Sequence, residues 1–160
     1  MNRETLTIRP MTPEDFPALA AWMVTIPLWQ RYGLAADRVT AQFQAAQTRG
    51  EILLSADHEA ADIPIGFAWC IPTGAFGRSA YLRLIGVHPD YAGDGVGARL
   101  LARVEAAAGT TSDSLFLLVS DFNQDAQRFY RKHGYQQAGS LADYVLPGVA
   151  ELIFWKRLRP

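Results

Sequence analysis

Polar and apolar residues alternate along short stretches of the chain, and this period of two is typical of β-strands. Residues Thr5–Arg9 show the alternation, whereas Leu115–Val119 is a continuous apolar run. Because such a run is typical of a strand covered on both faces, we expect both faces of that strand to be buried. Seven strands are predicted in all, at Thr5–Arg9, Glu51–Ala56, Ile65–Ile71, Ala80–Val87, Leu115–Val119, Tyr135–Leu141 and Val149–Arg157.

Four stretches between these strands carry apolar residues at helical spacing. Ahead of the first stretch, Thr12 is the expected N-cap, Pro13 suits the first helical position, and Asp15 can close a capping box. Pro27 is expected to end that helix and to leave residues 30–33 as a connector. The four predicted helices carry the stripes Phe16–Met23, Val39–Ala46, Val96–Val104 and Asn123–His133.

Loop signals join these elements into one domain that spans residues 1–160. The polar segment His58–Pro64 predicts a hairpin, Pro72–Gly77 a second loop, and Pro147-Gly148 the centre of a type II turn. The predicted order is β-α-α-β-β-β-α-β-α-β-β. We therefore expect an α/β fold with a mixed, mostly antiparallel central sheet flanked by helices.

Composition narrows the range of functions. The 160 residues include 15 Lys and Arg against 16 Asp and Glu, and the net charge of −1 gives no general attraction to nucleic acid or to an anionic membrane. A single cysteine, Cys70, excludes an internal disulfide. His58, His88 and His133 show no ligand spacing, so no metal site is expected. With no apolar stretch near membrane-spanning length and no apolar signal core, a cytoplasmic protein is expected.

Three alternate glycines, Gly93, Gly95 and Gly97, lie where a predicted strand gives way to a helix. Free amides and the helix dipole favour anions at such a position, although a plain surface turn would have the same composition. A P-loop is excluded because Ala98-Arg99 replaces the required Gly-Lys-Ser/Thr. The dinucleotide pattern is formally met by Gly93, Gly95 and Ala98, but Pro89–Tyr91 separates it from its strand. Nucleotide binding therefore stays as an alternative.

A second informative block runs from the apolar strand at Leu115 to Tyr135. Asn123 begins its helix, and Tyr130 follows two helical turns later. Taken alone, Asn123 is explained as an N-cap and Tyr130 as a core aromatic residue.

Together the two blocks resemble the GNAT superfamily of acyl-CoA-dependent N-acetyltransferases. The family pattern is V-x-P-x-Y-x-x-x-G-x-G-x-x-L-L, then a strand, then N-x-x-A-x-x-F/L-Y-x-K-x-G-F/Y. The chain meets the first part with Val87, Pro89, Tyr91, Gly95, Gly97, Leu100 and Leu101, and the second with Asn123, Ala126, Phe129, Tyr130, Lys132, Gly134 and Tyr135. The order of elements extends the resemblance over nearly the whole chain.

The resemblance implies that acetyl-CoA is the co-substrate and that the acetyl group passes by direct attack to a primary amine of a small or amino-acid-like molecule. It implies that Ile85, Gly86 and Val87 pair with the pantetheine arm, and that Asn123 hydrogen-bonds the cofactor. Tyr130 would face the sulfur, where a phenol can protonate the leaving thiolate as general acid. The pyrophosphate would be held by the amides of Gly93, Asp94, Gly95, Val96, Gly97 and Ala98. A homodimer is left open as the oligomeric state.

The chain departs from the family pattern at three positions. Ala92 and Asp94 replace polar or basic residues, and the Asp94 carboxylate is expected near the pyrophosphate, although it can also cap the helix. Leu118 stands where relatives that modify protein N-termini often carry Glu, which makes a peptide terminus less favoured. A catalytically weak acyl-CoA-binding or regulatory module is therefore an alternative.

The acceptor side is less well defined by the sequence. The general base is left open between His88, Glu151 and a water path. Three aromatic residues and one arginine cluster near the junction of the first two helices: Trp22, Trp29, Tyr32 and Arg31. They belong either to the core or to a wall of the acceptor site. Cys70 has no neighbouring base and is expected to be buried and inert.

Overall fold

A computed structural model describes residues 5–159 and contains a single seven-stranded sheet within that range. The strands are β1 (Leu6–Pro10), β2 (Ile52–His58), β3 (Gly66–Ala75), β4 (Ser79–Val87), β5 (Ser114–Ser120), β6 (Gln136–Ala142) and β7 (Ala150–Arg157). The helices are α1 (Asp15–Met23), α2 (Pro27–Arg31), α3 (Ala36–Thr48), α4 (Val96–Ala108) and α5 (Gln124–Lys132), with a 3-10 turn at Pro89–Tyr91.

The strands lie in the order β1-β2-β3-β4-β5-β7-β6. Only β4 and β5 are parallel neighbours, and all other pairs are antiparallel. The predicted α/β fold with a mixed, mostly antiparallel sheet is therefore confirmed. The hairpin between β2 and β3 and the turn at Pro147-Gly148 are also confirmed, the latter by a bond from the Val149 N–H to the Leu146 carbonyl and a φ of 77° at Gly148.

Two apolar cores cover the opposite faces of the sheet. One face packs α4, through Leu100 and Leu101, together with α5 against residues such as Leu117 on β5. The other packs α1 and α3, through Phe16 and Phe43, against the first strands. Burial of one large apolar side chain contributes about 1.5–3 kcal/mol to the stability of the fold. The apolar residues of each helix therefore hold that helix on its own face of the sheet.

Pro27 begins a helix, so the prediction that it ends one is wrong. Helix α1 has already ended at Met23, and tight bonds from the Thr25 and Ile26 amides close the turn. Ile26 is extended, as a residue before proline prefers, and Pro27 with its fixed φ suits the first position of α2. Residues 30–33, predicted as a connector, therefore include the end of a helix.

The start of α1 differs from the predicted capping box. Asp15 does accept a bond of 2.8 Å from the Thr12 backbone N–H, which is half of that motif. The Thr12 hydroxyl donates to the Asp15 carboxylate at 3.2 Å and caps nothing, and Glu14 occupies the N-cap position. Asp15 is buried, and its carboxylate also accepts hydrogen bonds from the Arg9 and Ser55 side chains. The Thr12 hydroxyl therefore joins the hydrogen bonds around this carboxylate instead of capping the helix.

Two further predictions need correction. Strand β3 continues to Ala75, beyond the predicted loop start at Pro72, because Phe76 and Gly77 both adopt positive φ and reverse the chain within two residues. In β5, Leu117 and its alternate neighbours are buried, whereas Phe116 and Leu118 on the opposite face are only half-buried. On that face Phe116 packs against the rings of Phe76 and Trp155, and Leu118 borders the cavity described below.

Candidate active site

Strands β4 and β5 separate halfway along their length. Their parallel pairing spans only Ala80–Leu82 with Leu115–Leu117. At this point Cys70 of β3 pairs with Leu82 and Trp69 pairs with Leu84, which leaves Arg83 as a bulge. Because a bulge bends its strand, the rest of β4 follows β3 while the rest of β5 follows β7, and a gap opens between them.

The exposed edge of β4 in this gap carries free backbone groups. In an antiparallel ladder, alternate residues bond to the partner strand and the residues between them face away. The His88 N–H donates a hydrogen bond of 2.7 Å to the carbonyl of Ile65, the residue directly before β3. By alternation, Gly86 faces β3, and the peptide groups of Ile85 and Val87 face the gap.

Gly86 has a packing role that the sequence did not reveal. A Cβ atom at this position would lie 2.3 Å from Cη2 of Trp29 and 2.7 Å from Cε1 of Phe67. The missing side chain therefore allows the Trp29 ring to lie directly against β4, where it forms part of the cavity wall.

The glycine loop follows the 3-10 turn and ends at the first turn of α4. Gly93 and Gly95 both have a φ of 83°, in the left-handed region that favours glycine. Gly95 is the N-cap and has no side chain to cap with, so the first amides of α4 lack intrahelical partners. Within residues 5–159, no acceptor binds the amides of Gly93, Gly95, Val96, Gly97 and Ala98.

Asp94 does not cap α4, which corrects the expectation that it could. Its side chain is exposed and makes no hydrogen bond to the described residues, while its N–H donates to the Tyr91 carbonyl at 3.4 Å. The carboxylate thus stands beside five free amides without neutralising any of them.

A cavity of about 1170 Å³ extends from the glycine loop through the gap to the opposite face of the sheet. This volume is slightly above the usual range for a small-molecule site. On the α4–α5 face it is lined by residues that include Val87, Gly95, Asn123, Phe129 and Tyr130, and on the other face by residues that include Trp29, Tyr32, Tyr81, Tyr144 and Glu151.

Asn123 and Tyr130 both have structural roles and both line the cavity. Oδ1 of Asn123 accepts a bond of 3.2 Å from the Ala126 N–H, so Asn123 is the N-cap of α5. Its Nδ2 group has no acceptor among the described residues and is available as a donor. Tyr130 packs edge-on against Phe129 and Tyr135, and its hydroxyl has no hydrogen bond to residues 5–159. Burial raises the pKa of Tyr130, so the phenol stays protonated.

Three side chains that the sequence analysis did not bring together meet on the other face. The Tyr32 hydroxyl lies 2.8 Å from Oε2 of Glu151, to which it donates, and 2.5 Å from the Ser120 hydroxyl. Burial raises the pKa of Tyr32, and the bond to Glu151 acts in the same direction against the bond with Ser120. Glu151 is only 7% exposed, and it pairs with Ser120 in the register of β5 and β7.

The structure separates the two candidate bases. Glu151 lines the cavity, whereas His88 packs against Trp22 and Tyr91 outside it, with Nδ1 accepting a bond from the Asp90 N–H. His88 therefore serves the turn before the glycine loop.

The cluster predicted near the junction of the first two helices is also split, with some members in the cavity wall and others outside it. Trp29 and Tyr32 line the cavity, but Trp22 is buried and donates to the Pro64 carbonyl, and Arg31 stacks over Phe122. Cys70 is fully buried, and burial raises the pKa of its thiol to about 12.

Nowhere in residues 5–159 do three or more His, Cys, Asp or Glu side chains converge as ligands of a metal ion. None of the helices in that range combines the length and the apolar composition needed to cross a membrane.

Solved structures share the whole fold at low sequence identity. An N-acetyltransferase from Staphylococcus aureus Mu50 superposes with a TM-score of 0.81 at 20% identity over 96% of this chain and 99% of that one. A Salmonella typhimurium protein solved with its cofactor acetyl-CoA gives 0.77 at 16% identity, over 96% and 94% of the two chains. An aminoglycoside 6′-N-acetyltransferase complexed with coenzyme A gives 0.79 at 15% identity, over 96% and 98%.

Sequence comparison identifies the family directly. No curated protein sequence matches the chain significantly. Residues 49–137, more than half of the chain, match the profile of the acetyltransferase (GNAT) domain. This segment contains β4, the glycine loop, β5 and α5, which together build the gap and one half of the cavity. The chain therefore belongs to the GNAT family of acetyltransferases.

Proposed function

We propose that the protein is an acetyl-CoA-dependent N-acetyltransferase that acts on a primary amine of a small or amino-acid-like molecule. The observation that carries this proposal is the continuous cavity through the sheet. One end has a loop of free amides suited to a phosphate, and the other has a buried carboxylate suited to an amine. The gap between β4 and β5 brings the two ends together.

The residues on the α4–α5 face fit acetyl-CoA. The free amides of Gly93, Gly95, Val96, Gly97 and Ala98 would hold the pyrophosphate at the N-terminus of α4. The peptide groups of Ile85 and Val87 would bond the pantetheine arm as an added strand, and Nδ2 of Asn123 would donate to it. Acetyl-CoA in the Salmonella protein and coenzyme A in the aminoglycoside enzyme support this assignment.

The chemistry proposed is direct attack of the amine on the thioester carbonyl. Backbone N–H groups of β4 after the bulge at Arg83 would stabilise the oxyanion. Tyr130, protonated and without a competing hydrogen bond in the described chain, would protonate the leaving thiolate. Cys70 is buried in β3 and cannot carry an acetyl group, which favours direct transfer over a covalent enzyme intermediate.

A catalytically weak acyl-CoA-binding module is the second candidate, and the exposed carboxylate of Asp94 beside the free amides favours it. Thermal-shift measurement with CoA and with NAD, followed by a thiol-release assay on a panel of primary amines, distinguishes these functions. The transferase requires stabilisation by CoA and amine-dependent thiol release. Stabilisation by CoA without thiol release would favour the binding module, and stabilisation by NAD alone would favour a nucleotide-binding protein.

A further inference from the structure

Glu151 is a buried carboxylate without a counter-ion in the described part of the chain. It is 7% exposed, and no Lys, Arg or His of residues 5–159 forms an ion pair with it. The only hydrogen bond to its side chain from these residues comes from the Tyr32 hydroxyl, although a carboxylate can accept about four. Since burying an unpaired charge costs several kcal/mol, this arrangement favours a cation that enters from the cavity.

The groups around Glu151 do not supply that cation themselves. Burial raises the pKa values of Tyr32 and Tyr81, so both phenols are neutral. The Arg31 guanidinium lies 3.8 Å from the Phe122 centroid, and that of Arg83 lies 5.2 Å from the Trp69 centroid. Arg38 and Arg83 also line the cavity, but neither forms an ion pair with Glu151.

The walls of this half of the cavity are mostly aromatic and apolar, and they also include Arg38, Gln42 and Arg83. Trp29 lies against Gly86 and is fixed there, and aromatic ring faces attract organic cations. At the mouth, Tyr144 and Val145 on the loop between β6 and β7 are 61% and 53% exposed, and both border the cavity. Apolar side chains exposed at the rim of a site indicate a ligand that covers them.

We propose that Glu151 binds the acceptor as an ammonium ion and takes its proton, and that the acceptor carries an aromatic or similarly sized apolar group beside its primary amine. Tyr32 and Ser120 are positioning residues that hold the carboxylate. This inference rests on the proposed N-acetyltransferase function and specifies its acceptor.

The proton and electron transfers balance. The ammonium gives one proton to a Glu151 oxygen, and the freed lone pair forms the C–N bond while the carbonyl π electrons move onto oxygen. Their return to carbon breaks the C–S bond. The thiolate takes the proton of the Tyr130 hydroxyl, and the second amine proton restores that hydroxyl. Glu151 then releases its proton to solvent.

The test uses phenethylamine, which is cationic at neutral pH, and 2-phenylethanol, its neutral counterpart. Binding of each is measured by titration calorimetry to the CoA-bound protein, in wild type, Glu151→Gln and the control Glu59→Gln. Glu59 is exposed and lies outside the cavity. We expect phenethylamine to bind wild type and the control equally, and Glu151→Gln about 30-fold more weakly, whereas 2-phenylethanol does not distinguish the three proteins.

Equal binding of phenethylamine to wild type and Glu151→Gln, or no binding to either, would overturn the proposal. A parallel thiol-release assay with acetyl-CoA and phenethylamine separates it from the proposed function. Binding that depends on Glu151 without thiol release supports the ammonium site and contradicts the transferase. Thiol release that Glu151→Gln leaves unchanged supports the transferase and contradicts the site.

The variant Tyr32→Phe tests positioning. It removes the only hydrogen bond from residues 5–159 to the Glu151 carboxylate, so KM for phenethylamine should rise about fivefold while KM for acetyl-CoA stays unchanged. A lower melting temperature with both KM values unchanged would show that Tyr32 has only a structural role.

Discussion

Replacing Tyr130 with phenylalanine removes one oxygen atom from the proposed reaction centre and leaves the ring. The ring centroid lies 5.2 Å from that of Phe129 and 5.6 Å from that of Tyr135, and both contacts persist in Tyr130→Phe. The hydroxyl bonds to no residue between 5 and 159, so its removal leaves no partner of the described chain unsatisfied. We therefore expect the free energy of unfolding to change by about 0.5 kcal/mol or less.

The expected loss of activity is large because a positioned general acid contributes a factor of about 10²–10⁴. This factor corresponds to about 2.7–5.4 kcal/mol of transition-state stabilisation. Burial raises the pKa of Tyr130, which alone would make it a weaker acid. The same surroundings also penalise the leaving thiolate and raise its affinity for a proton, which offsets part of this effect. The second amine proton restores the phenol and draws the transfer forward.

The assay is steady-state thiol release with saturating acetyl-CoA and the best amine from a panel, together with CoA titration and thermal unfolding. The control is Tyr135→Phe, since the Tyr135 ring adjoins Tyr130 but does not border the cavity. We expect kcat to fall only in Tyr130→Phe, with unchanged CoA affinity. An unchanged kcat with a destabilised fold would refute the assignment and show that Tyr130 is a packing residue.

Three further predictions concern other parts of the molecule. Asp94→Lys should tighten CoA binding about fivefold at low salt, because it replaces a negative charge beside the pyrophosphate by a positive one and removes no helix cap. The gain should shrink as salt is added, and weaker binding in calorimetry would contradict this. Gly86→Ala should lower the free energy of unfolding in urea by about 1–3 kcal/mol, because its Cβ would overlap Trp29 and buried Phe67. Gly97→Ala is the matched control, as its Cβ would lie 3.6 Å from Phe129 in ordinary contact, and equal stability of the two variants would refute the packing argument. Burial raises the pKa of Asp15, but its hydrogen bonds outweigh burial and hold that pKa below its usual value. The stability from ionised Asp15 is thus present above about pH 4 and lost as the pH falls through the lower folded-state pKa. Asp15→Asn should be about 2 kcal/mol less stable at pH 7 and should lose less stability on acidification than wild type, and parallel pH profiles would contradict this.

Local sequence signals were enough to predict most of the fold, and the resemblance to the GNAT superfamily named residues that line one half of the cavity. Gly93 and Gly95 require a backbone that few other residues adopt, and the spacing from Asn123 to Tyr130 places both on one helix. These features lie within short segments, so periodicity and residue type indicate them. The functional roles assigned to these residues stay predictions.

The other half of the cavity depends on contacts between distant parts of the chain. Tyr32 meets Ser120 and Glu151 across 88 and 119 residues, and it does so only because β5 and β7 pair in one particular register. The bulge at Arg83 likewise follows from how β3 and β4 align. Neither feature leaves a local pattern, which is why the sequence named Glu151 only as one of several candidate bases.

We propose that the protein transfers an acetyl group to a primary amine through the gap between β4 and β5. The most direct measurement incubates the protein with acetyl-CoA and a panel of primary amines, and follows both free thiol and the mass of the amine. We expect one thiol to be released for each acetylated amine formed, for at least one member of the panel. CoA binding without amine-dependent thiol release across the panel would contradict it.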